Sequence, residues 1–253
     1  MCIRDSYRVH QPPSYLKLQQ LKKTLAHYGV NPKTVSLSDS YGFSRILSHL
    51  KELPQFEALQ VVLLRSMALA VYQTRNGGHF GLAAEFYTHF TSPIRRYPDL
   101  MVHRALKKEL SSRNQKKISR KRNINQKHGE EIDRELALKC SQQERNAEKA
   151  ELQSVDLMKC VFLEPHIGVD FQSVIRSLDS RQIRVELEPH ALEWNVPLET
   201  LNDDRYFFDQ ERLYLSGRRQ GRLIRIGQRL KLKLIRVDVL QRNIDFDFEG
   251  WLN

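Results

Sequence analysis

The sequence is poor in cysteine, has no long apolar run and carries no acidic excess. Its three cysteines, Cys2, Cys140 and Cys160, stand apart, with no C-x-x-C pair and no histidine at a zinc-ligand spacing. That excludes a zinc-finger framework and a disulfide-stapled scaffold. They read as reduced thiols, with Cys140 and Cys160 packed against a core. No window approaches 18 consecutive apolar residues, so no transmembrane helix is expected, and the N-terminus lacks the charged-then-apolar pattern of a secretory signal. A cytoplasmic protein is the expectation.

What is present is an excess of base. Lys and Arg number 41 against 30 Asp and Glu, a formal charge of +11, which gives the chain a standing attraction for polyanions. Nucleic acid is the first candidate, ahead of an anionic membrane surface. With 40% apolar residues over 253 positions, the chain can bury the cores of one large or two smaller domains.

Helical spacing dominates the first part. Pro12, Pro13 and Ser14 open a helix carrying Leu18, Leu21, Leu25 and Tyr28, stopped at Gly29. A second, Ser44 to Leu53, ends at Pro54. The stretch EALQVVLLRSMALAVYQ (57–73) is apolar nearly all round and reads as one helix buried on most sides, so its charge at Arg65 needs a partner or an anion. RNGGH (75–79) breaks it. Pro98 and Asp99 suit the first turn of a further helix through Leu100, His103, Leu106 and Leu110. In KKELSSRNQKKISRKRNINQK nine basic residues face a single Glu109, so residues 107–128 read as a basic loop, either merely solvated or in contact with a polyanion. From Gly129 to about Phe162 a long helix is expected, with Ile132, Leu136, Cys140, Ala147, Val155 and Met158 on one face. The last 90 residues change period. FQSVIRSL, QIRVELE, RLKLKLIRVDV and NIDFDFEG alternate apolar with polar, separated by turns such as LDSRQ and LSGRRQGR, which points to a small five-stranded antiparallel barrel after residue 162.

One stretch calls for chemistry. In TSPIRRYPDL (91–100) two arginines are boxed between Pro93 and Pro98, which restrict the backbone on both sides. Adjacent side chains point in different directions, so one guanidinium can face a ligand while the other makes a local pair. Two readings stand: both arginines pair with carboxylates such as Asp99 or Glu85, or one of them binds an anion bidentately. His79, His89 and His103 fit no common metal spacing and read as structural hydrogen-bonding groups.

The run LLRSMALAVYQTRNGGHFGLAAEFYTHFTSPIRRYPDLMVHRALK (63–107) resembles the C-terminal half of the catalytic (RNB) domain of the ribonuclease II / ribonuclease R family of exoribonucleases. YRVHQPP (7–13), SQQERNAEKAE with Asp156, and DDRYFFDQERLYLSGRRQGRLIRIGQRL within the tail resemble other parts of the same family, the last its closing S1 domain. The resemblance implies an α+β chain: a leader (1–6) without counterpart, residues 7–162 as a largely helical part of an RNB domain, and residues 163–253 as an OB-type, S1-like RNA-binding barrel. It implies a monomeric hydrolase, without membrane contact, that degrades single-stranded RNA from its 3' end to nucleoside 5'-monophosphates with Mg2+. Carried over by position, Arg95 resembles the arginine that stabilises charge on the scissile phosphate. Arg96, Arg65, His79, Tyr97, His103, Arg104 and Glu151 take RNA-contacting positions, and Arg96 is also open to a structural role.

The sequence departs from the family in two places. The aspartate motif of the type D-P-x-x-A-x-D-x-D-D that holds the family's metals is absent, and neither Asp203-Asp204 nor Glu130-Glu131 has its spacing. The expectation is therefore the C-terminal portion of a longer enzyme, inactive alone, with a non-catalytic RNA-binding protein as the alternative. Second, DSRQIRV (179–185) stands where S1 domains carry an aromatic pair. Trp194, Tyr206, Phe207 and Phe208 remain as aromatic candidates, against the plainer reading that they fill the barrel.

Overall fold

The computed structural model describes residues 6–30, 37, 39–53, 55–114 and 125–252. Its contacts divide the chain into two units: Met1–Leu18, Lys33–Ser48 and Leu64–Glu148 form one, and Gln19–Pro32, His49–Leu63 and Lys149–Asn253 the other. Among the described residues no helix is long and apolar enough to cross a membrane.

The helical elements follow local signals closely. Helix α1 (Tyr15–His27) begins after Ser14, whose side-chain oxygen accepts from the Lys17 N–H at 3.5 Å. Gly29 follows its end with φ of 76°, the left-handed conformation that glycine takes at least cost. Helix α2 (Ser40–Leu50) starts four residues before the expected Ser44, because Asp39 caps it through the Gly42 N–H at 2.7 Å. Pro54, its expected stop, lies outside the described residues, and the helix ends at Leu50. Helix α3 (Phe56–Ser66) corrects the single buried helix expected over 57–73. It stops at Ser66, and Val71–Gln73 leave as a strand, β2, that pairs antiparallel with β1 (Tyr7–Val9) in the register Arg8↔Tyr72. Leu64 and Arg65 are exposed rather than buried.

Helix α4 (Tyr97–Asn114) carries Pro98 and Asp99 in its first turn. It also takes up residues 107–114 of the expected basic loop, and helix α5 (Asn125–Leu163) takes up 125–128. Only 115–124 are left of that loop, and they lie outside the described residues. Among the described side chains of α5 the buried positions are Ala137 and Ser141, then Cys160 and Leu163. Val155 and Met158 of the expected apolar face are exposed, as is Ala147. Of the cysteines, Cys160 is buried, Cys140 is half-buried and Cys2 lies outside the described residues. Ser6, the last residue of the expected leader, is buried, and its carbonyl accepts from the Thr88 hydroxyl at 2.5 Å.

Beyond α5 the regular structure is antiparallel strand, apart from two short 3-10 turns at Glu164–His166 and Leu198–Thr200. Strands β3 (Asp170–Leu178), β4 (Gln182–Leu187), β5 (Leu192–Pro197), β9 (Arg229–Asp238) and β10 (Asn243–Leu252) form a sheet in the order β10-β9-β3-β4-β5. Strands β6 (Tyr206–Asp209), β7 (Tyr214–Gly217) and β8 (Leu223–Ile224) form a separate sheet. Five strands in one sheet agree with the sequence, but among the described residues no ladder joins β5 to β10, so this is not a closed barrel. Burial explains why closure is not needed. The inward side chains of the small sheet, Tyr206, Leu215 and Ile224, join Ile175, Ile183, Val185, Leu232 and Leu234 in one core with Cys160 and Leu163. The apolar face of the larger sheet is thus covered by a second sheet and a helix end.

Candidate functional site

The arginine motif is built around one buried carboxylate. The Ser92 carbonyl accepts from the N–H groups of Arg95 (3.3 Å) and Arg96 (3.0 Å), which folds 92–96 into a tight turn ahead of α4. Asp99, in the first turn of α4 and fully buried, clamps that turn at both ends. Its Oδ2 accepts from the Ser92 N–H at 2.7 Å and from Arg96 Nη2 at 2.9 Å. Burial alone would raise the Asp99 pKa, but the Ser92 N–H and the Arg96 guanidinium outweigh it and hold the group below its ordinary value. Arg96 is thereby committed, at least through one nitrogen, to a local carboxylate. Arg95 is exposed, and among the described residues nothing hydrogen-bonds or ion-pairs with its guanidinium. The box of prolines therefore yields one paired arginine and one presented arginine on a single turn.

Behind the turn lies a chain of rings. Tyr72 and His89 meet at 5.5 Å between centroids, His89 and Tyr87 at 5.8 Å, Tyr87 and His79 at 4.9 Å, and His79 and His10 at 5.0 Å. Phe80 and Phe43 continue it. Arg8 covers the Tyr72 ring at 4.7 Å while pairing with Glu144 of α5 at 2.5 Å. Burial first, then the nearby Glu144 charge, push the Tyr72 phenol up to about 12, so it stays protonated, and it shares a hydrogen bond of 2.8 Å with His89 Nδ1. His10 is fixed by its two neighbours: Nε2 donates to the Ala68 carbonyl at 2.7 Å and Nδ1 accepts from the Gly81 N–H at 2.8 Å. A side chain on Gly81 would meet that Nδ1 at 2.8 Å, so only glycine allows this approach.

His79 and His89 both have lowered pKa values, chiefly from burial, with the His10 and Arg96 charges next in each case. Below the ordinary value of 6.5 the unfolded chain binds protons that the folded protein does not, so stability is highest above that pH and declines as pH falls through the folded values. The melting temperature is expected to drop between about pH 7 and about pH 5, and to drop less in a His79→Gln, His89→Gln double variant. Equal pH profiles for the two proteins would contradict this assignment.

The remaining sequence candidates are scattered. Tyr97 begins α4 and is 46% exposed. His103, further along that helix, stacks on Phe90 at 4.2 Å and bonds its carbonyl at 2.8 Å, a structural arrangement. Arg104 is exposed on α4, Arg65 lies in the last turn of α3, and Glu151 is exposed on the part of α5 that belongs to the second unit. No hydrogen bond or ring contact described above links any of these to Arg95. Sequence reasoning missed Arg8, His10, Tyr72 and Glu144 as the framework of the site. The signal available was only the aromatic density of HFGLAAEFYTHF, since its partners come from β1, β2 and α5.

Among the described residues the carboxylates of this unit do not fit a Mg2+ site. Asp99 is taken by an N–H and a guanidinium and Glu144 by Arg8. Among the described residues no three His, Cys, Asp or Glu side chains group where a metal ion is held. In the second unit Tyr206 and Phe208 pack in the core and Trp194 lies partly buried under Lys159, which leaves Phe207, 54% exposed, as the open ring of the four candidates.

Residues 3–112 match the family model of the RNB domain. Over 95% of its length the chain is 36% identical to ribonuclease R of Aquifex aeolicus, covering 33% of that protein, and 34% identical to ribonuclease R of Escherichia coli, covering 30%. The chain thus spans about a third of the length of the curated relatives it matches. Its fold is similar to the apo form of Mycoplasma genitalium RNase R, with a TM-score of 0.76 and 29% identity over 97% of this chain and 38% of that one. The same TM-score is found for that protein in complex with ribose-methylated single-stranded RNA. Yeast Ssd1, a pseudonuclease, has a TM-score of 0.59 at 20% identity over 84% of this chain and 26% of that one, a likeness of fold alone. Residues 3–112 thus resemble an RNB domain, and nearly the whole chain is similar to part of the ribonuclease R proteins.

Proposed function

We propose that this chain is the RNA-holding portion of a hydrolytic 3'-to-5' exoribonuclease, with Arg95 as the donor that meets charge building on the scissile phosphate. The observation that carries the proposal is the exposed Arg95 guanidinium on a turn locked by the buried Asp99. In such a reaction water attacks phosphorus, the bond to the 3' oxygen of the upstream nucleotide breaks, and a nucleoside 5'-monophosphate leaves. Negative charge grows on the non-bridging oxygens as this happens. A guanidinium presented by a fixed backbone meets that charge without reorganising, which is the condition under which such donors accelerate reactions most. Arg96 and Asp99 act on Arg95 as positioning residues. Tyr97, Arg104 and Arg65 are assigned contacts with the RNA backbone and Glu151 a contact with RNA away from its phosphates, while His79 and His103, held in the ring contacts and hydrogen bonds of the fold, are assigned structural roles. The Mg2+ that the family resemblance implies has no fitting ligands here, so the described residues are assigned binding and charge stabilisation only.

A second reading, a non-catalytic RNA-binding protein on the same scaffold, is favoured by one observation: the aspartate motif that holds the family's metals is absent from these 253 residues. Both readings require RNA binding. Fluorescence anisotropy with a labelled single-stranded oligoribonucleotide is expected to show binding that weakens steeply with salt, as phosphate contacts do. No binding at low salt would overturn both.

A further inference from the structure

The small sheet β6-β7-β8 sorts its charges by direction. Residues 201–228 contain six arginines and four acids, and the acids are occupied by the fold. Asp203 accepts from the Tyr206 hydroxyl at 2.9 Å and from Trp251 Nε1 at 2.7 Å. Asp204 accepts from the N–H groups of Arg205 (2.7 Å), Arg219 (3.0 Å) and Gln220 (2.8 Å). Asp209 accepts from the N–H groups of Glu211 and Arg212, and Glu211 pairs with Lys23 at 3.5 Å. Of the arginines, Arg212 bonds the Tyr214 hydroxyl and Arg222 lies over the Trp251 ring. Arg205, Arg218, Arg219 and Arg225 are exposed, and among the described residues no hydrogen bond or ion pair engages their guanidinium groups.

Three of these four are gathered at one end of the sheet, Arg218 and Arg219 on the β7-β8 turn and Arg205 opposite them, just ahead of β6. The Arg218 N–H donates to the Arg205 carbonyl at 2.9 Å, extending the β6-β7 ladder, and the Gly217 N–H donates to the Arg222 carbonyl at 2.8 Å, closing the hairpin. Arg205 and Arg218 therefore face each other as like charges across paired strands, an arrangement that is unfavourable until an anion is present. The turn is also fixed before any anion arrives. Asp204 gathers its N–H groups from inside, and a side chain on Gly217 would meet Asp204 Oδ2 at 2.6 Å. Side chains alternate along a strand, and Tyr206 points inward, so Phe207 shares the outward face with Arg205 and Arg218.

Resting on the RNA-binding reading above, we propose that this sheet is a single-stranded RNA contact surface, in which Arg205, Arg218 and Arg219 hold phosphates around the Asp204-fixed turn and Phe207 stacks a base. Guanidinium groups match phosphate oxygens in pairs, and an open aromatic ring beside them selects an unpaired base over a duplex or an acidic protein surface. The surface supplies stacking that the segment 179–185, leading into β4, lacks.

The test is anisotropy with single-stranded RNA across a salt series, on the 253-residue protein and three variants checked by circular dichroism. Arg218→Ala with Arg219→Ala is expected to weaken binding about tenfold or more and to lower the salt slope by about 1.4, or about 0.7 per lost phosphate contact. Phe207→Ala is expected to weaken it about fivefold or more. Asp204→Ala adds net positive charge, so long-range attraction alone predicts tighter binding, whereas a preorganised turn predicts weaker binding. Unchanged affinity and slope in the double arginine variant, beside a wild-type protein that binds, overturns this surface and leaves the RNA reading intact. Tighter binding by Asp204→Ala overturns the preorganised turn, and equal competition by polyglutamate and RNA overturns the stacking role. Absence of RNA binding by the wild-type protein overturns the RNA reading itself.

Discussion

Arg95→Ala is expected to lower turnover of single-stranded RNA by roughly two orders of magnitude or more, while leaving RNA affinity within a few-fold of the parent. The measurement calls for an active form, obtained by joining this chain to the aspartate-bearing segment of a ribonuclease R relative. The split between turnover and affinity is the informative part. Arg95 sits on a turn that Asp99 holds whether or not a ligand is present, so its removal disturbs no buried contact and takes away only an exposed donor. A donor that matters chiefly when charge builds on phosphate loses rate; one that merely grips the RNA backbone loses affinity and salt dependence. Arg95→Lys keeps the charge but not the planar fork, and an intermediate rate is expected. Turnover near that of the parent in Arg95→Ala would remove Arg95 from the reaction.

The largest stability effect is expected at Asp99. Its replacement by alanine leaves the Arg96 guanidinium without its partner and the Ser92 N–H without its acceptor, next to a buried position. Removing one member of such a pair costs on the order of 3 kcal/mol, most of it the penalty of an uncompensated charge. Asp99→Asn keeps an acceptor for Ser92 and is expected to lose less. Chemical denaturation compares the two, and an Asp99→Ala protein as stable as the parent would mean that the clamp contributes nothing. Because Asp99 also holds the turn that presents Arg95, Asp99→Ala should lower turnover in the active form even under conditions where the protein stays folded.

The legible parts of the molecule were those in which cause and effect lie close together in the chain. Ser14, Pro98 and Asp99 mark helix starts by local capping chemistry, and the period-two patterns of β3, β4, β9 and β10 follow from burial of one sheet face. Of the two open readings of the arginine pair, the one in which both find carboxylates holds for Arg96, which pairs with Asp99, and, among the described residues, not for Arg95. Where partners are distant, the reading failed. Nothing within 57–73 announces that the helix ends at Ser66, because the strand that follows exists by pairing with residues 7–9. The buried face of α5 is set by the segments packed on it: Ser141 is buried because its hydroxyl receives the Tyr72 N–H, and no helical periodicity encodes that. The second sheet escaped notice for a related reason. Its strands are two to four residues long, too short for alternation to stand out, and they are defined by the Asp204-centred turn.

The division of labour proposed for the chain, binding and charge stabilisation without a metal site of its own, is tested most directly by following a 5'-labelled single-stranded RNA in the presence of Mg2+. The 253-residue protein is expected to bind the RNA and leave its length unchanged, and the same protein joined to the aspartate-bearing segment is expected to shorten it from the 3' end with release of nucleoside 5'-monophosphates. Release of monophosphates by the 253-residue protein alone, abolished by chelation of the metal, would contradict the account.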